Sequence, residues 1–220
     1  MWEETLFHDR AEAGRVLAEL LKRTIGERSI LVLALPRGGV PVGFEIAQAF
    51  HADLDVFLVR KLGVPGHEEL AMGAIASGGV RVLNRSLIEH LRIPAAAIDR
   101  VTEREQKEIA RREALYREGR PPLPVENRTV VLVDDGLATG ATMLAATHAV
   151  RAQGPERIIV AVPVASPEAC DEFRAHVDQV ICAETPENFQ AVGVWYENFF
   201  QTTDEEVREL LERAARMHVS

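Results

Sequence analysis

The stretch VVLVDDGLATGAT, residues 130–142, combines an apolar run, two adjacent acids and a turn of small residues. Four apolar, mostly β-branched residues open it and predict a strand that is buried on both faces. Two adjacent carboxylates, Asp134 and Asp135, follow where that strand should end. A turn of small residues then leads into an apolar-periodic helix, whose first backbone N–H groups have no partner within the helix. Those amides and the helix dipole predict a phosphate site beside two acids, which suits a phosphorylated sugar.

These thirteen residues closely resemble the phosphoribosyl-pyrophosphate (PRPP) motif of the type I phosphoribosyltransferases. The resemblance implies that Asp134 and Asp135 hold the ribose 2′ and 3′ hydroxyls and are the catalytic candidates. It also implies that the turn binds the 5′-phosphate of PRPP through five consecutive residues: Ala138, Thr139, Gly140, Ala141 and Thr142. A plain strand-to-helix turn with an acidic cap is the alternative, but it does not explain why the acids and the turn occur together.

A second anion-binding turn is predicted nearer the N-terminus, between an apolar strand pattern and a helix pattern. Arg37 supplies a bidentate donor for phosphate, and Gly38 and Gly39 let the backbone approach a ligand closely. The turn resembles the pyrophosphate loop of the same family, which makes these three residues PRPP-binding candidates. The resemblance also implies a cis peptide in this loop, and the bonds on either side of Pro36 are both candidates.

The segment VRKLGVPG, residues 59–66, overlaps the end of the next predicted strand, residues 53–59. It resembles the Arg-Lys-x-Gly-x-x-Pro-Gly stretch of adenine phosphoribosyltransferases, which implies that Lys61 contacts the pyrophosphate of PRPP. Lysine occurs only three times in this chain, which favours that role for Lys61 over a solvated surface charge. In the family, the residues that follow form a lid, and closure of a lid excludes water from a reactive sugar cation.

Strand and helix patterns alternate from residue 30 to residue 183 and predict the α/β class. We expect a central parallel sheet covered by helices on both faces, as in the type I phosphoribosyltransferases. Ligands of such sheets bind at the carboxyl ends of the strands, where Arg37, Lys61 and the paired acids are expected to lie. Residues 1–220 are therefore expected to form a single phosphoribosyltransferase domain with one shared site.

Residues 84–119 depart most from a minimal phosphoribosyltransferase and predict a helical insertion. A short helix pattern is followed by a long, charge-rich one that begins near Pro94. The apolar stripe along the long helix is explained by packing on the edge of the core. The alternative is a contact surface for a homo-oligomer or for another partner.

Residues 184–202 contain five of the chain's twelve aromatic residues. They resemble the C-terminal hood of purine phosphoribosyltransferases, in which a Pro-x-x-Phe segment stacks an aromatic ring on the base. The resemblance makes Phe189 and Trp195 the nucleobase-binding candidates, since such stacking contributes on the order of 1–3 kcal/mol. The alternative is a surface flap with a small core of its own.

Composition limits the kinds of partner that this chain can bind. A formal net charge of −9 argues against nonspecific nucleic-acid binding, which requires Lys and Arg to neutralise phosphates. No apolar run approaches the roughly twenty residues of a membrane span, and no charged-then-apolar leader opens the chain. We therefore expect a cytoplasmic protein without a membrane partner. Cys170 and Cys182 form no C-x-x-C pair and are expected to be reduced interior residues.

The resemblance implies an enzyme of nucleotide metabolism that moves the phosphoribosyl group of PRPP to a nucleobase or similar nitrogen acceptor and releases pyrophosphate. Magnesium is then held mainly by PRPP oxygens and water near Asp134 and Asp135, because Mg²⁺ keeps much of its hydration. Hypoxanthine–guanine enzymes carry an aspartate where this chain has Ala138, so a 6-oxopurine acceptor is disfavoured and the acceptor stays open. A PRPP- or nucleotide-sensing protein and a hydrolase that uses water as acceptor remain as alternatives.

Overall fold

The computed structural model describes residues 6–26 and 28–217, with helices and strands that alternate along most of the chain. In chain order these elements are α1 (Arg10–Ile25), β1 (Ile30–Ala34), α2 (Gly39–Phe50), β2 (Asp53–Val56), β3 (Val59–Val64), β4 (His67–Ala76), β5 (Arg81–Leu83), α3 (Arg85–His90), α4 (Ala95–Arg117), β6 (Thr129–Val133), α5 (Ala141–Arg151), β7 (Arg157–Val164), α6 (Pro167–Phe173), β8 (Gln179–Glu184) and α7 (Asp204–Arg216).

Five of the strands form a parallel sheet in the order β2-β1-β6-β7-β8. β1 and β6 lie inside it and are buried along their whole length, which explains why both are continuous apolar runs. Leu33 of β1 is paired with Leu132 of β6, and Leu132 is paired with Val160 of β7. The carboxyl ends of these strands therefore meet at one edge of the sheet, as the sequence predicts.

Helices cover both faces of this sheet, which confirms the predicted α/β architecture. One face packs against α1, α2 and α7 through residues such as Leu17, Ile46 and Leu211. The other face packs against α5 and α6, where Met143 and Phe173 are buried. Among the described residues, no helix is both long and apolar enough to cross a membrane.

Strands β3, β4 and β5 form a separate antiparallel sheet, and its position corrects one prediction. The sequence predicts one strand over residues 53–59, but β2 ends at Val56 and β3 starts at Val59 in the other sheet. The chain turns between them because the amide of Leu58 donates to the Ser77 hydroxyl over 2.9 Å. Lys61 therefore lies inside an antiparallel strand and not at the carboxyl end of a parallel one.

Helices α3 and α4 occupy most of residues 84–119, and α4 is attached to the edge of the parallel sheet. Arg117, in the last turn of α4, donates to the Asp55 carboxylate over 2.9 Å and to the Val56 carbonyl over 3.0 Å. Both partners of this ion pair are buried. Replacing one partner of such a pair leaves an uncompensated buried charge, so this contact holds the end of α4 firmly against the sheet.

Cys170 of α6 and Cys182 of β8 are joined by a disulfide, which corrects the expectation that both are reduced. The two cysteines are 12 residues apart, a spacing that matches no C-x-x-C motif. They meet because the chain reverses direction after α6 and returns along β8 beside that helix. The pairing therefore depends on the topology, which local spacing does not reveal.

Candidate functional site

The paired acids follow β6 directly, at the carboxyl edge of the parallel sheet. The loop after β1 lies beside them, because the amide of Leu35 donates to the Val133 carbonyl over 2.8 Å. A Cβ atom on Gly38 would overlap the carboxylate of Asp135, and one on Gly39 would lie 2.7 Å from the Val133 carbonyl. Glycine is thus required at both positions by the close approach of the loop to the acids.

The predicted pyrophosphate loop has its cis peptide between Pro36 and Arg37, which decides between the two candidate bonds. The helix that follows begins at Gly39. Gly38 and Gly39 therefore lie at the N-terminus of α2, where backbone N–H groups suit an anion. The side chain of Arg37 reaches towards α7, where its Nη1 lies 3.6 Å from Asp204 Oδ1.

Burial strongly affects the two acids. It raises the pKa of Asp134 well above its ordinary value, and the neighbouring charge of Asp135 raises it further. Burial also raises the pKa of Asp135, while the guanidinium of Arg10 opposes that rise. The site therefore holds two nearby carboxylates, of which Asp135 has a cationic partner.

That cationic partner, Arg10, is a site residue that the sequence does not indicate. Its Nε donates to Asp135 Oδ2 over 2.8 Å, although 125 residues separate the two along the chain. Tyr196 is a second such residue, because its hydroxyl donates to the backbone carbonyl of Asp135 over 2.6 Å. Burial raises the pKa of Tyr196, so the phenol remains a donor at neutral pH. No motif contains Arg10, and Tyr196 was notable only as one of several aromatic residues in the hood.

The predicted phosphate turn lies at the N-terminus of α5, beside the acids. Its residues are exposed apart from Gly140, which adopts φ +67° directly before the helix begins. A Cβ atom on Gly140 would overlap the ring of Phe173 from α6. The amides of Ala141 and Thr142 are in the first turn of α5, where the helix supplies no acceptor for them. This arrangement suits a phosphate group.

Lys61 lies on β3 and lines a cavity of about 380 Å³ together with Thr142 of the phosphate turn. The insertion helix α4 borders the same cavity through Arg104 and Glu105. Glu105 is nearly buried and accepts from Arg60 Nε over 2.8 Å and from Arg104 Nε over 2.9 Å. Although Lys61 lies within β3 and not at the end of a parallel strand, the structure brings it together with the phosphate turn. Helix α4 borders the same cavity.

The hood, residues 184–202, crosses the carboxyl edge of the sheet between β8 and α7. Trp195 is only 4% exposed and belongs to a small cluster with Phe7 and Tyr196, against which Phe189 is also packed. Protein atoms therefore surround Trp195, and a base could stack on it only after the cluster had opened. Phe200, which was not among the candidates, is 83% exposed.

Comparison with known proteins identifies the family of this chain. Residues 4–197 match the family model described as the phosphoribosyl transferase domain. The Mycobacterium tuberculosis H37Rv protein named "Putative phosphoribosyl transferase Rv0571c" is 47% identical over 211 residues, which are 96% of this chain and 47% of that protein. A protein of the same description from strain CDC 1551, MT0597, matches equally well. The chain spans about half the length of these curated relatives.

Two solved structures share the fold of this chain. The crystal structure of TT1426 from Thermus thermophilus has 43% sequence identity and a TM-score of 0.84, and the match covers 94% of this chain and 98% of that one. AQ2163 from Aquifex aeolicus has the same fold at 13% identity and a TM-score of 0.50, over 84% of this chain and 78% of its own. Given the family match over most of its length, the chain belongs to the phosphoribosyltransferase family.

Proposed function

We propose that this protein, as one domain over residues 1–220, transfers the 5-phosphoribosyl group of PRPP to a nucleobase or similar nitrogen acceptor and releases pyrophosphate. One observation carries the proposal. The two acids lie between two helix N-termini, that of α2 after the pyrophosphate loop and that of α5 after the phosphate turn. PRPP has a diol between two phosphorylated ends, so its shape and charge match this arrangement.

Each part of PRPP has a proposed set of partners. Asp134 and Asp135 accept hydrogen bonds from the ribose hydroxyls. The 5′-phosphate is held by amides and hydroxyls of the phosphate turn, which consists of Ala138, Thr139, Gly140, Ala141 and Thr142. The pyrophosphate is held by the amides of Gly38 and Gly39 and by the cations Arg37 and Lys61. Arg37 must first leave Asp204, and Lys61, which lines the cavity beside the phosphate turn, must reach from there to the pyrophosphate.

The reaction forms a bond between the acceptor nitrogen and C1 of the ribose while the bond from C1 to the pyrophosphate oxygen breaks. Pyrophosphate leaves with the electron pair of that bond, and the nitrogen loses its proton to solvent after it has donated its lone pair. Positive charge develops on the sugar, and we assign its stabilisation to the carboxylates of Asp134 and Asp135. No side chain needs to form a covalent intermediate.

Magnesium fits this site as a metal carried by the substrate. Across residues 6–26 and 28–217, no group of three or more His, Cys, Asp or Glu side chains could hold a metal ion. The two available carboxylates, Asp134 and Asp135, suit an ion whose other ligands are PRPP oxygens and water. When bound, Mg²⁺ would neutralise charge on the departing pyrophosphate.

A PRPP- or nucleotide-sensing protein without turnover is the second candidate. The observation in its favour is the pairing of Arg37 with Asp204, which directs the proposed pyrophosphate donor towards α7. Such a protein would bind PRPP at the acids and the phosphate turn but would release no pyrophosphate.

A screen of purine and pyrimidine bases with PRPP and Mg²⁺, monitored by pyrophosphate release, tests the proposal. Release that requires a base supports the transferase. Release without any base identifies the hydrolase, and PRPP binding without release under any condition identifies the sensor.

The folded double variant Asp134→Asn, Asp135→Asn should bind PRPP far more weakly, while the control Asp99→Asn, which changes an exposed acid on α4, should not. Equal PRPP affinity in the double variant and the wild type would refute the assignment of the acids.

A further inference from the structure

Arg10 connects three parts of the protein beside the proposed PRPP site. Its Nε donates to Asp135 Oδ2 over 2.8 Å, and its Nη1 donates to the Phe200 carbonyl over 2.7 Å. The guanidinium carbon also lies 3.9 Å from the centre of the Phe199 ring, which is a cation–π contact. Helix α1, the acid and the hood therefore meet at one side chain.

Tyr196 forms a second link between the hood and the same acid. Its hydroxyl donates to the Asp135 carbonyl over 2.6 Å, and its ring centre lies 5.0 Å from that of Phe199. Phe199 packs so closely on Gly193 that a Cβ atom there would lie 2.7 Å from the ring. The hood is thus joined to Asp135 in two ways. Tyr196 binds the backbone carbonyl of Asp135, and Arg10 links the hood to the side-chain carboxylate of Asp135.

The burial of this ion pair distinguishes it from an ordinary surface contact. The side chain of Arg10 is 11% exposed and that of Asp135 is 17% exposed. The next arginine on α1, Arg15, is 59% exposed and lies 3.5 Å from Glu45. Exposed ion pairs of that kind contribute little to the stability of a protein. A carboxylate that is partly removed from water, in contrast, depends strongly on its cationic partner for its stabilisation. Arg15 therefore provides a matched control on the same helix.

We propose that Arg10 is a positioning residue that orients the Asp135 carboxylate towards the ribose diol and couples that orientation to the closed position of hood residues 196–202. The proposal rests on the proposed function, in which Asp135 accepts a ribose hydroxyl. An ionised carboxylate offers about four lone-pair sites, so the bond from Arg10 leaves acceptor capacity for the substrate. The other titratable groups that face Asp135 are Asp134 beside it and Tyr196 from the hood.

This coupling links the opening of the hood to the affinity for PRPP. A hood that opens would withdraw the Phe200 carbonyl and the Phe199 ring from Arg10, leaving the guanidinium with fewer fixed contacts. Asp135 would then be held less firmly, so PRPP would bind the open form more weakly. By linkage, PRPP binding would favour the closed hood before the acceptor reacts.

The first experiment measures the affinity for PRPP with Mg²⁺ by calorimetry in Arg10→Gln, Arg10→Lys, Asp135→Asn and the control Arg15→Gln. Arg10→Gln should lose about tenfold in affinity, the usual effect of removing a hydrogen bond between charged groups. Arg10→Lys should recover only part of this loss, because an ammonium cannot serve the carboxylate, the carbonyl and the ring at once. Arg15→Gln should bind as the wild type does.

A double-mutant cycle tests whether Arg10 acts through Asp135. The variant Arg10→Gln, Asp135→Asn should bind PRPP within about twofold of Asp135→Asn alone, since the first substitution then removes a contact already lost. If the losses of PRPP affinity in the two single variants add fully in the double variant, the proposal is overturned.

A second measurement does not depend on PRPP. Amide hydrogen exchange of hood residues 196–202 should accelerate in both Arg10→Gln and Asp135→Asn but not in Arg15→Gln. If the wild type binds no PRPP, the proposed function fails, while the exchange rates still decide whether Arg10 ties the hood to Asp135. Unchanged hood exchange in both variants would overturn the role of Arg10, whatever the outcome of the binding measurements.

Discussion

The hydroxyl of Tyr116 donates to the carboxylate of Asp204 over 2.7 Å, which joins the insertion helix α4 to the first turn of α7. Burial raises the pKa of Tyr116 to about 12, and the hydrogen bond to Asp204 contributes to that rise. The phenol is therefore a donor throughout the neutral range. Because Arg37 Nη1 lies 3.6 Å from the same carboxylate, one acid connects the insertion with the predicted pyrophosphate loop.

This connection predicts that Asp204→Asn will strengthen the binding of inorganic pyrophosphate. The substitution removes the charge that draws Arg37 towards α7 and makes the loop more positive. We expect a gain of about two- to fivefold, in line with the small contribution of an exposed ion pair. Calorimetry at low and high salt measures it, and the gain should shrink as salt screens the charges.

Tyr116→Phe is the control for that measurement, because it removes the hydroxyl but keeps the charge of Asp204. It should not strengthen pyrophosphate binding. If Asp204→Asn leaves the affinity unchanged or lowers it, Arg37 does not move between Asp204 and the pyrophosphate.

Gly38→Ala should impair PRPP binding without unfolding the protein. Gly38 has φ −61° and ψ −33°, which alanine adopts readily, so the backbone is not strained. The new Cβ atom would instead overlap the Asp135 carboxylate and displace it. We expect PRPP affinity to fall about tenfold or more, as for loss of a charged hydrogen bond, while the protein stays folded with a lower melting temperature.

The same substitution in an Asp135→Ala background distinguishes this mechanism from general damage to the loop. With the carboxylate removed, Gly38→Ala should lower PRPP affinity little further. If Gly38→Ala lowers PRPP affinity in the Asp135→Ala background as much as it does in the wild type, Gly38 acts on something other than Asp135.

Local signals were sufficient to predict the strand, turn and helix start of residues 130–142 but not the elements around them. Residues 130–142 could be predicted because the strand, the acids and the helix start are adjacent in sequence. The break between β2 and β3 could not, because the chain turns at Leu58 through a bond to Ser77, 19 residues away. Arg10 could not be predicted for the same reason, since the residue that gives it a role lies 125 positions along the chain.

The hood shows a different limit of prediction from sequence. An aromatic side chain is equally typical of a core and of a base-stacking surface, so the pattern alone cannot separate the two. The structure buries Trp195 because Phe7, from before α1, packs against Tyr196 beside it. That contact joins distant parts of the chain, and no local feature of residues 184–202 indicates it.

Gly140→Ala should destabilise the phosphate turn for two separable reasons. The residue has φ +67°, a left-handed conformation that costs alanine on the order of 1–2 kcal/mol. Its Cβ atom would also overlap the ring of Phe173, and overpacking of that kind typically costs about 1–3 kcal/mol. We expect a lower free energy of unfolding, measured by urea denaturation, together with weaker PRPP binding.

The double variant Gly140→Ala, Phe173→Leu separates the two costs. Gly140→Ala should destabilise the Phe173→Leu protein less than it destabilises the wild type, because only the backbone strain remains. Equal destabilisation in both backgrounds would show that the contact with Phe173 does not matter.

His148 of α5 and His176 beyond α6 lie edge to face, with ring centres 5.7 Å apart. Burial lowers the pKa of His148 below its ordinary value of 6.5, and the charge of His176 lowers it further. The unfolded chain therefore binds more protons than the folded protein as the pH falls through that value. By linkage, this histidine makes the folded protein less stable on acidification.

His148→Gln should accordingly lose less stability than the wild type between about pH 7.5 and about pH 5.5, the range in which histidine titrates. Urea denaturation at both pH values measures the difference.

His8→Gln is a control of opposite sign, because a hydrogen bond to Glu197 raises the pKa of the exposed His8. Stability from that pair is present at low pH and is lost as the pH rises through the raised pKa, so its removal should increase the loss on acidification. If His148→Gln has the same pH dependence as the wild type, the ring pair does not contribute to acid sensitivity.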